Sequence, residues 1–272
     1  MQSVRPIDFD DSDLAWESGY RGKLIYSGEG CFLIATKVPS GAEGPATHIH
    51  RSDQIYYVIE GEITIRLGSE VMTASPNAVI FIPAGVPHHN WNAGNVDEVH
   101  LEILAPGGLP MGRPLAEPTD STDAGGLPYY VRSTDESRFT GIPGVEGMTV
   151  DRLVTRDSGS LHVGLYLADI PVGAGGPALH IHEFDQFYMV LEGTLSVEVG
   201  FEKYVVEPNH LVVLPAGVPH RQWNEGSVRE RHVAILAPHP EAPSSPEKPW
   251  DTLVSLKREL RPSRTRLEQK NR

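Results

Sequence analysis

Histidine and glutamine recur at matching positions in the two halves of this chain of 272 residues. The tripeptide His-Ile-His occurs at 48–50 and again, 132 residues later, at 180–182; a glutamine follows each copy, and a third histidine comes later behind a Pro-Ala-Gly-Val-Pro turn. Neutral imidazole is a good ligand for divalent transition metals. We therefore predict two metal sites, with these ligands: His48, His50, Gln54 and His88 in the first half, and His180, His182, Gln186 and His220 in the second.

The repetition extends well beyond the candidate ligands. An ungapped comparison of residues 44–106 with residues 176–238 gives 32 identities in 63 pairs. Chance alone would give only a few, so the chain contains a duplicated domain. A single pair of histidines on a strand is usually an ordinary surface or core feature. A pair that recurs together with a third histidine and a glutamine indicates metal binding.

The elements that must position these residues are predicted to be strands. Residues 55–59 and 63–67 are short runs rich in β-branched and aromatic residues, separated by a glycine-containing turn. Residues 187–191 and 195–199 repeat the pattern, which is typical of antiparallel hairpins. Neither unit contains an amphipathic helical pattern of useful length. The fold class is therefore predicted to be all-β, with each unit closing into a barrel or jelly roll.

Alternation along a strand decides which side chains share a face. If the strand is continuous, residues 48, 50 and 54 point into the same interior. Asp53 and Asp185 would then lie on the opposite face, which is why the glutamines rather than the aspartates are the predicted ligands; a bulge would reverse this choice.

Composition predicts the following boundaries. We expect an N-terminal domain at 1–106, a Gly/Pro-rich linker at 107–128, a C-terminal domain at 129–238 and a basic tail at 239–272. Within the tail, residues 250–261 have the apolar spacing of a short helix, and a proline follows them.

Charge and cysteine content restrict the classes of function. The net charge is -13, while residues 239–272 hold eight Lys/Arg against five Asp/Glu, so the body of the chain is acidic and does not suit nucleic acid. The lone Cys31 lies in an apolar run, which favours a buried structural thiol over a nucleophile. The N-terminus has no apolar signal core and the sequence has no long apolar stretch, so we expect a cytoplasmic protein without a membrane partner.

These motifs resemble those of the cupin superfamily, and the pair of them resembles a bicupin. The first motif is Gly-Pro-Ala-Thr-His-Ile-His at 44–50 with Gln54 and Glu60-Gly61, and the second is Pro-Ala-Gly-Val-Pro-His at 83–88 with Asn92. The second half repeats both motifs, and the resemblance covers about residues 22–106 and 150–238. It implies two tandem jelly-roll β-barrels with up to one divalent transition metal (Fe, Ni, Co, Mn, Cu or Zn) in each. It also implies a homodimer through edge strands.

One departure from the family pattern concerns acid–base chemistry. Cupins usually carry glutamate where Gln54 and Gln186 stand, and in quercetinase-like dioxygenases that glutamate is thought to act as a base. An amide cannot take a proton. A glutamine at this position is similar to the bicupin isomerase of bacilysin biosynthesis. Another base is then needed, and we single out Glu102, His100 and His232 as candidate catalytic residues, although packing in the core explains the two histidines as well.

The resemblance and the ligand set together give an expected function. The leading hypothesis is a metal-dependent dioxygenase acting on a small enolic, phenolic or keto-acid compound that binds as an anion, with dioxygen as co-substrate. The alternative is a non-redox isomerase, cyclase or decarboxylase that uses the same bound enolate. A second alternative is a cupin that binds a small molecule without catalysis.

Overall fold

The computed structural model describes residues 2–15, 17–107, 116–135 and 138–240, together with the backbone of Val254–Ser255. Nearly all regular structure in these residues is β, as predicted, and a short 3-10 turn is formed at Arg156–Ser158. Within the described part of the chain, no helix has the length and apolar character needed to span a membrane.

The strands follow one another in the same sequence in both halves. The first half contains β1 (Val4–Pro6), β2 (Leu14–Ala15), β3 (Arg21–Ser27), β4 (Phe32–Val38), β5 (His48–Ile49), β6 (Asp53–Glu60), β7 (Ile63–Leu67), β8 (Glu70–Ala74), β9 (Ala78–Ile82), β10 (His88–Trp91), β11 (Glu98–Ala105), β12 (Glu117–Pro118) and β13 (Tyr130–Ser133). The second half contains β14 (Thr140–Gly141), β15 (Thr149–Val154), β16 (Gly164–Ile170), β17 (His180–Ile181), β18 (Asp185–Glu192), β19 (Leu195–Val199), β20 (Glu202–Val206), β21 (His210–Leu214), β22 (His220–Trp223), β23 (Glu230–Ala237) and β24 (Val254–Ser255).

The strands form two barrels, each made of a seven-stranded and a five-stranded antiparallel sheet. In the first barrel the orders are β13-β9-β6-β11-β4-β3-β2 and β12-β5-β10-β7-β8. In the second they are β1-β21-β18-β23-β16-β15-β14 and β20-β19-β22-β17-β24. The two large sheets pack against each other through one apolar cluster that takes residues from both, among them Leu33, Leu101, Leu165 and Phe187. The all-β, two-barrel prediction is confirmed.

Two short strands, β1 and β13, pair across the domain limits expected from composition. The first strand of the chain, β1, pairs with β21 and so completes the large sheet of the second barrel. The equivalent edge position in the first barrel belongs to β13, which pairs with β9. The first strand of the chain is therefore part of the second barrel, and a strand that follows the expected linker is part of the first.

Most of the basic tail, and with it most of the helix predicted over 250–261, lies outside the described residues. The two residues of that segment that are described, Val254–Ser255, form β24 and pair with His180–Ile181. These two residues are extended rather than helical because the edge of β17 offers unpaired backbone groups that a short strand can bond.

The strand that carries the first histidines is interrupted rather than continuous. β5 ends at Ile49 in the small sheet, and β6 begins at Asp53 in the large sheet, with a bend between them. The continuous strand on which the alternation argument depended is therefore absent. The bend moves the chain from one sheet to the other, so that the candidate ligands approach the barrel interior from both sheets.

Candidate metal centre

The first and third histidines of each set face each other across paired strands. His48 lies opposite His88 in the β5–β10 register, and their ring centroids are 4.2 Å apart. His180 and His220 repeat this pairing at 4.3 Å. Directly opposed residues of an antiparallel pair carry side chains on the same face of the sheet. The strand register therefore brings together residues that are 40 positions apart in the sequence.

The second histidine of each set is held by the turn that precedes the third. In the first barrel the backbone N–H of Gly85 donates to the carbonyl of His50 at 2.9 Å. Gly85 has a φ of 87°, a left-handed conformation that glycine adopts at little cost. The same bond joins Gly217 to His182 at 2.8 Å. The Pro-Ala-Gly-Val-Pro turn thus fixes His50 and His88 relative to each other.

The three imidazoles of each set meet inside the barrel. His48, His50 and His88 are all buried, and each offers a ligand atom within 4.8 Å of the others; His180, His182 and His220 form a second group of the same kind. The structure therefore brings each predicted trio of histidines together.

Hydrogen bonds fix which nitrogen of each ring faces the interior. The Nδ1 atoms of His48 and His88 lie 2.8 and 2.9 Å from the carbonyl oxygens of Ala46 and Val86. Each Nδ1 must carry the hydrogen to make that bond, which leaves the Nε2 lone pair free for a ligand. Burial lowers the pKa of His88 well below its ordinary value and also lowers that of His48. Both rings are therefore neutral, which is the form that binds metals.

Gln54 lies beside this trio and is held by a buried carboxyl group. Its Nε2 donates to Glu102 at 2.6 Å, while its Oε1 has no hydrogen-bond partner. Thr36 donates to the other carboxylate oxygen at 3.4 Å. Burial raises the pKa of Glu102 above its usual value, although the neighbouring His100 and the two hydrogen bonds oppose this shift. Gln54 therefore presents its oxygen, rather than its nitrogen, to the interior.

The first site opens into a small cavity of about 180 Å³. An engineered cavity of about 150 Å³ is large enough to hold benzene, so one ring-sized molecule fits here. Its walls are mainly apolar, and Glu102 lies among them. The lining residues are Leu14, Tyr20, Gly22, Ile34, Thr36, Pro45, His48, His50, Gln54, Tyr56, Asn90, Glu102 and Ala116.

The orphaned atoms of the first site provide a test of metal binding. The Nε2 of His88 and the Oε1 of Gln54 are buried without a partner. The Nε2 atoms of His48 and His50 face each other at 3.2 Å. Buried acceptors left without a donor, such as the Nε2 of His88 and the Oε1 of Gln54, are costly, and a cation held between them would satisfy both. The residues present therefore fit a divalent metal.

The second site has the same trio but a different surrounding. The amide oxygen of Gln186 lies 3.0 Å from the Nε2 of His182, and the His182 ring stacks on Phe184 at 3.9 Å. The Nε2 of His220 is buried without a partner, and burial lowers the pKa of His220 to about 3. The histidines fit a metal here too, but the glutamine oxygen is already in contact with one of them.

The acidic side chain near the first site has no equivalent in the second barrel. Ala234 is the counterpart of Glu102. Glu102 lies opposite Ile34 on β4, and Ala234 lies opposite Tyr166 on β16, which is the residue equivalent to Ile34 in the repeat. By the same register, Ala168 replaces Thr36. Ala234 and Ala168 belong to the apolar cluster of the second barrel. The polar chemistry around the two trios is therefore different.

The other two candidate catalytic residues lie deeper. His100 and His232 are fully buried, and the Nδ1 of each lies 3.0 Å or less from a carboxylate oxygen, of Glu98 and Glu230 respectively. Their rings pack against Tyr56 and Tyr188. Neither histidine is among the residues that line the cavity. Of the three candidates, only Glu102 lies on the cavity wall.

Sequence reasoning missed two polar residues of the first cavity. Asn90 shares the inward, buried face of β10 with His88 and lines the cavity. Its spacing of two residues from a predicted ligand was the available signal. Thr36 lies on β4, far from both motifs in sequence, and only the β4–β11 register places it near Glu102.

The comparisons with known proteins agree with this geometry. The family model described as a cupin domain matches residues 35–104 and 166–235, together half of the chain. An uncharacterized protein of Methanocaldococcus jannaschii is 34% identical over 80 residues, or 29% of this chain and 62% of that protein. This chain thus spans less than two thirds of that relative's length.

Several solved structures share the two-barrel fold. A protein of Pseudomonas aeruginosa named as glyoxylate-induced has a TM-score of 0.66 at 19% identity, covering 89% of this chain and 91% of its own. Salicylate 1,2-dioxygenase of Pseudaminobacter salicylatoxidans has a TM-score of 0.65 at 15% identity, covering 77% and 71%. Oxalate decarboxylase of Bacillus subtilis, with its Mn(II) centres, has a TM-score of 0.62 at 14% identity, covering 89% and 78%. At these identities the likeness concerns the fold.

Proposed function

Because the chain belongs to the cupin family, with one cupin domain in each half, we propose that it is a metal-dependent enzyme acting on a small oxygenated organic molecule in its first barrel. One observation carries the proposal. The unpartnered oxygen of Gln54 and the buried carboxyl group of Glu102 lie on the wall of a single cavity of about 180 Å³, beside the first trio of histidines.

The ligand set favours an anionic substrate. None of the proposed ligands, His48, His50, Gln54 and His88, carries a negative charge. These residues would hold a divalent metal without reducing its charge, and that metal would supply Lewis-acid stabilisation of an enolate, phenolate or carboxylate and, if redox-active, electron transfer to dioxygen. The apolar walls of the cavity exclude water and strengthen this attraction.

The residues of the first barrel have separate roles in this scheme. Gln54 uses its amide nitrogen to orient Glu102 and its oxygen to bind the metal. Glu102 is placed to take a proton from the substrate or return one to it, because its carboxyl group lies on the cavity wall. Thr36 steadies the second carboxylate oxygen. A proton-transfer group and the metal would thus act on the same bound molecule.

Dioxygenation is the first reaction that we propose. It is supported by the neutral ligand set of three imidazoles and one amide, which would hold a redox-active metal beside the cavity where the substrate would bind. The shared fold with salicylate 1,2-dioxygenase is consistent with it. Proposed substrates are small enolic, phenolic or keto-acid compounds that fit within the cavity.

Glu102 supports a second candidate, a non-redox isomerase, cyclase or decarboxylase. A buried carboxyl group beside the substrate suits a reaction that moves protons or releases carbon dioxide without an oxidant. The dependence of turnover on oxygen separates the dioxygenase from this second candidate. Substrates that are turned over are incubated with the protein in air and under nitrogen. Loss of turnover without oxygen supports the dioxygenase, whereas full turnover without oxygen excludes it and supports the second candidate.

A cupin that binds a small molecule without catalysis is the remaining alternative. Both histidine trios are complete, which a binding protein does not need. The double variant His50→Ala, His182→Ala distinguishes the cases, because it should abolish turnover by an enzyme but leave the function of a non-catalytic protein intact.

A further inference from the structure

Each candidate metal site receives a hydrogen bond from the other half of the chain. In the first barrel the link is Asp53, the residue immediately before Gln54. Its Oδ1 accepts the backbone N–H of Ala84, in the turn before His88, at 3.1 Å. Its Oδ2 accepts the hydroxyl hydrogen of Ser160 at 3.1 Å, and Ser160 belongs to the second half. One carboxylate therefore joins two ligand-bearing elements of the first site to the second half.

The second barrel repeats the arrangement with a different donor. Asp185 precedes Gln186, and its Oδ1 accepts the N–H of Ala216 at 2.9 Å in the equivalent turn. Its Oδ2 accepts the hydroxyl hydrogen of Tyr26 at 3.1 Å, and Tyr26 lies on β3 of the first half. The Tyr26 ring packs edge-on against Phe187, with ring centroids 4.5 Å apart.

The donors differ although the aspartates match. Tyr26 lies near the end of β3 and Ser160 lies in the connection from β15 to β16, so the two donors come from matching hairpins of the two units. Each reaches the Oδ2 of the matching aspartate. Ser160 is fully buried and Asp53 almost so. A buried carboxylate needs its hydrogen bonds, because an unsatisfied charged acceptor is costly. The position of each aspartate is thus determined from both halves.

We infer that Ser160 and Tyr26 are positioning residues for the metal sites of the opposite halves. Ser160 acts through Asp53 on Gln54 and on the turn before His88, and Tyr26 acts through Asp185 in the second site. The inference rests on the metal binding proposed above. Its consequence is that neither barrel holds its ligand set in full order without the other.

The test is a crossed measurement of metal affinity. His182→Ala disables the second site, so that binding of Co²⁺ to the full chain reports the first site; His50→Ala does the reverse. These two single-site variants are the parents. Into each parent we introduce Ser160→Ala or Tyr26→Phe, and we measure the Co²⁺ dissociation constant by competition with a chromophoric chelator. Changes next to ligands typically cost 10- to 100-fold in affinity, and these residues act one step further out, so we expect a loss of roughly threefold to tenfold.

Each variant should weaken Co²⁺ binding at one site and leave the other unchanged. Ser160→Ala should weaken Co²⁺ binding at the first site only, and Tyr26→Phe at the second site only. Tyr130→Phe is the matched control. Its hydroxyl also bonds across the halves, to the carbonyl of Leu153 at 2.8 Å and to the hydroxyl of Ser158 at 3.1 Å, but it contacts neither aspartate. This control should leave both affinities unchanged.

Three results would overturn the inference: no change in either site, equal losses in both sites, or a loss in both sites from Tyr130→Phe. Tyr26→Phe removes a single oxygen atom from a half-buried ring, so it decides the question alone if Ser160→Ala does not fold. If neither parent binds Co²⁺, the proposed metal function fails, and this inference fails with it. If the parents bind Co²⁺ but the variants do not weaken binding at the expected sites, this inference fails and the proposed metal function is unaffected.

Discussion

His48 and His88 are direct partners in the β5–β10 register, with ring centroids 4.2 Å apart and with both Nδ1 atoms bonded to backbone carbonyls. The backbone thus fixes the position and the tautomer of both rings. Rings oriented by hydrogen bonds from the nitrogen that is not a ligand are what a preorganised site requires.

Replacing Glu102 tests the proposed proton-transfer group. We predict that Glu102→Gln lowers turnover by roughly 10²- to 10⁴-fold, the usual contribution of general acid–base catalysis. Metal content should stay the same, because Glu102 is not a proposed ligand. The measurement is the steady-state rate with elemental analysis of the same sample. Glu70→Gln, at an exposed position of β8, is the control, and an unchanged rate in Glu102→Gln would remove Glu102 from the mechanism.

The turn before His88 gives a prediction on stability. Gly85 has a positive φ of 87°, and apart from its chain neighbours no atom lies within 4 Å of the position that an added β-carbon would take, so Gly85→Ala adds backbone strain without a clash. We expect the free energy of unfolding to fall by about 1–2 kcal/mol. Gly141→Ala is the matched control, since it also has open space but no positive φ; it should be neutral or slightly stabilising. Denaturant titration measures both, and equal effects would contradict the prediction.

The buried histidines predict how stability depends on pH in the metal-free protein. Burial lowers the pKa of His180 from 6.5 to about 4. Between these values the unfolded chain binds a proton that the folded chain does not, so the free energy of unfolding falls as pH drops from 6.5 towards 4. The slope for one such group is about 1.4 kcal/mol per pH unit.

The contribution of His180 is isolated by comparison with a variant that does not titrate. Denaturant titrations of the chelator-treated wild type and of His180→Asn across this pH range should show a smaller slope in the variant. Identical slopes in the two proteins would show that His180 is not buried as a neutral ring.

The sequence alone was enough to predict the two barrels and the meeting of the histidines. Because the whole motif is duplicated, a pairing of 48–50 with 88 was expected to recur as 180–182 with 220, and short apolar runs identified the strands. The bend after β5 could not be foreseen, because alternation assumes an unbroken strand. His50 and Gln54 nevertheless approach the same interior, His50 from the segment between β5 and β6 and Gln54 from β6.

Other features depended on tertiary pairing. The hydrogen bond from Gln54 to Glu102 joins β6 and β11, which pair in the large sheet, and residue spacing indicated only that Glu102 shares a face with His100. The links from Asp53 to Ser160 and from Asp185 to Tyr26 arise where the two barrels pack together. Such contacts between units leave no periodic signal in a sequence, because each depends on how two folded surfaces meet.

The most direct test of the central claim is elemental analysis of the chain purified without added metal. We predict two equivalents of a divalent transition metal per chain, one in His50→Ala, and none in the double variant His50→Ala, His182→Ala. Circular dichroism should show the same β-sheet content in all three proteins. A wild-type chain without transition metal, or a double variant that retains the wild-type amount, would contradict the claim that the two histidine trios are metal sites.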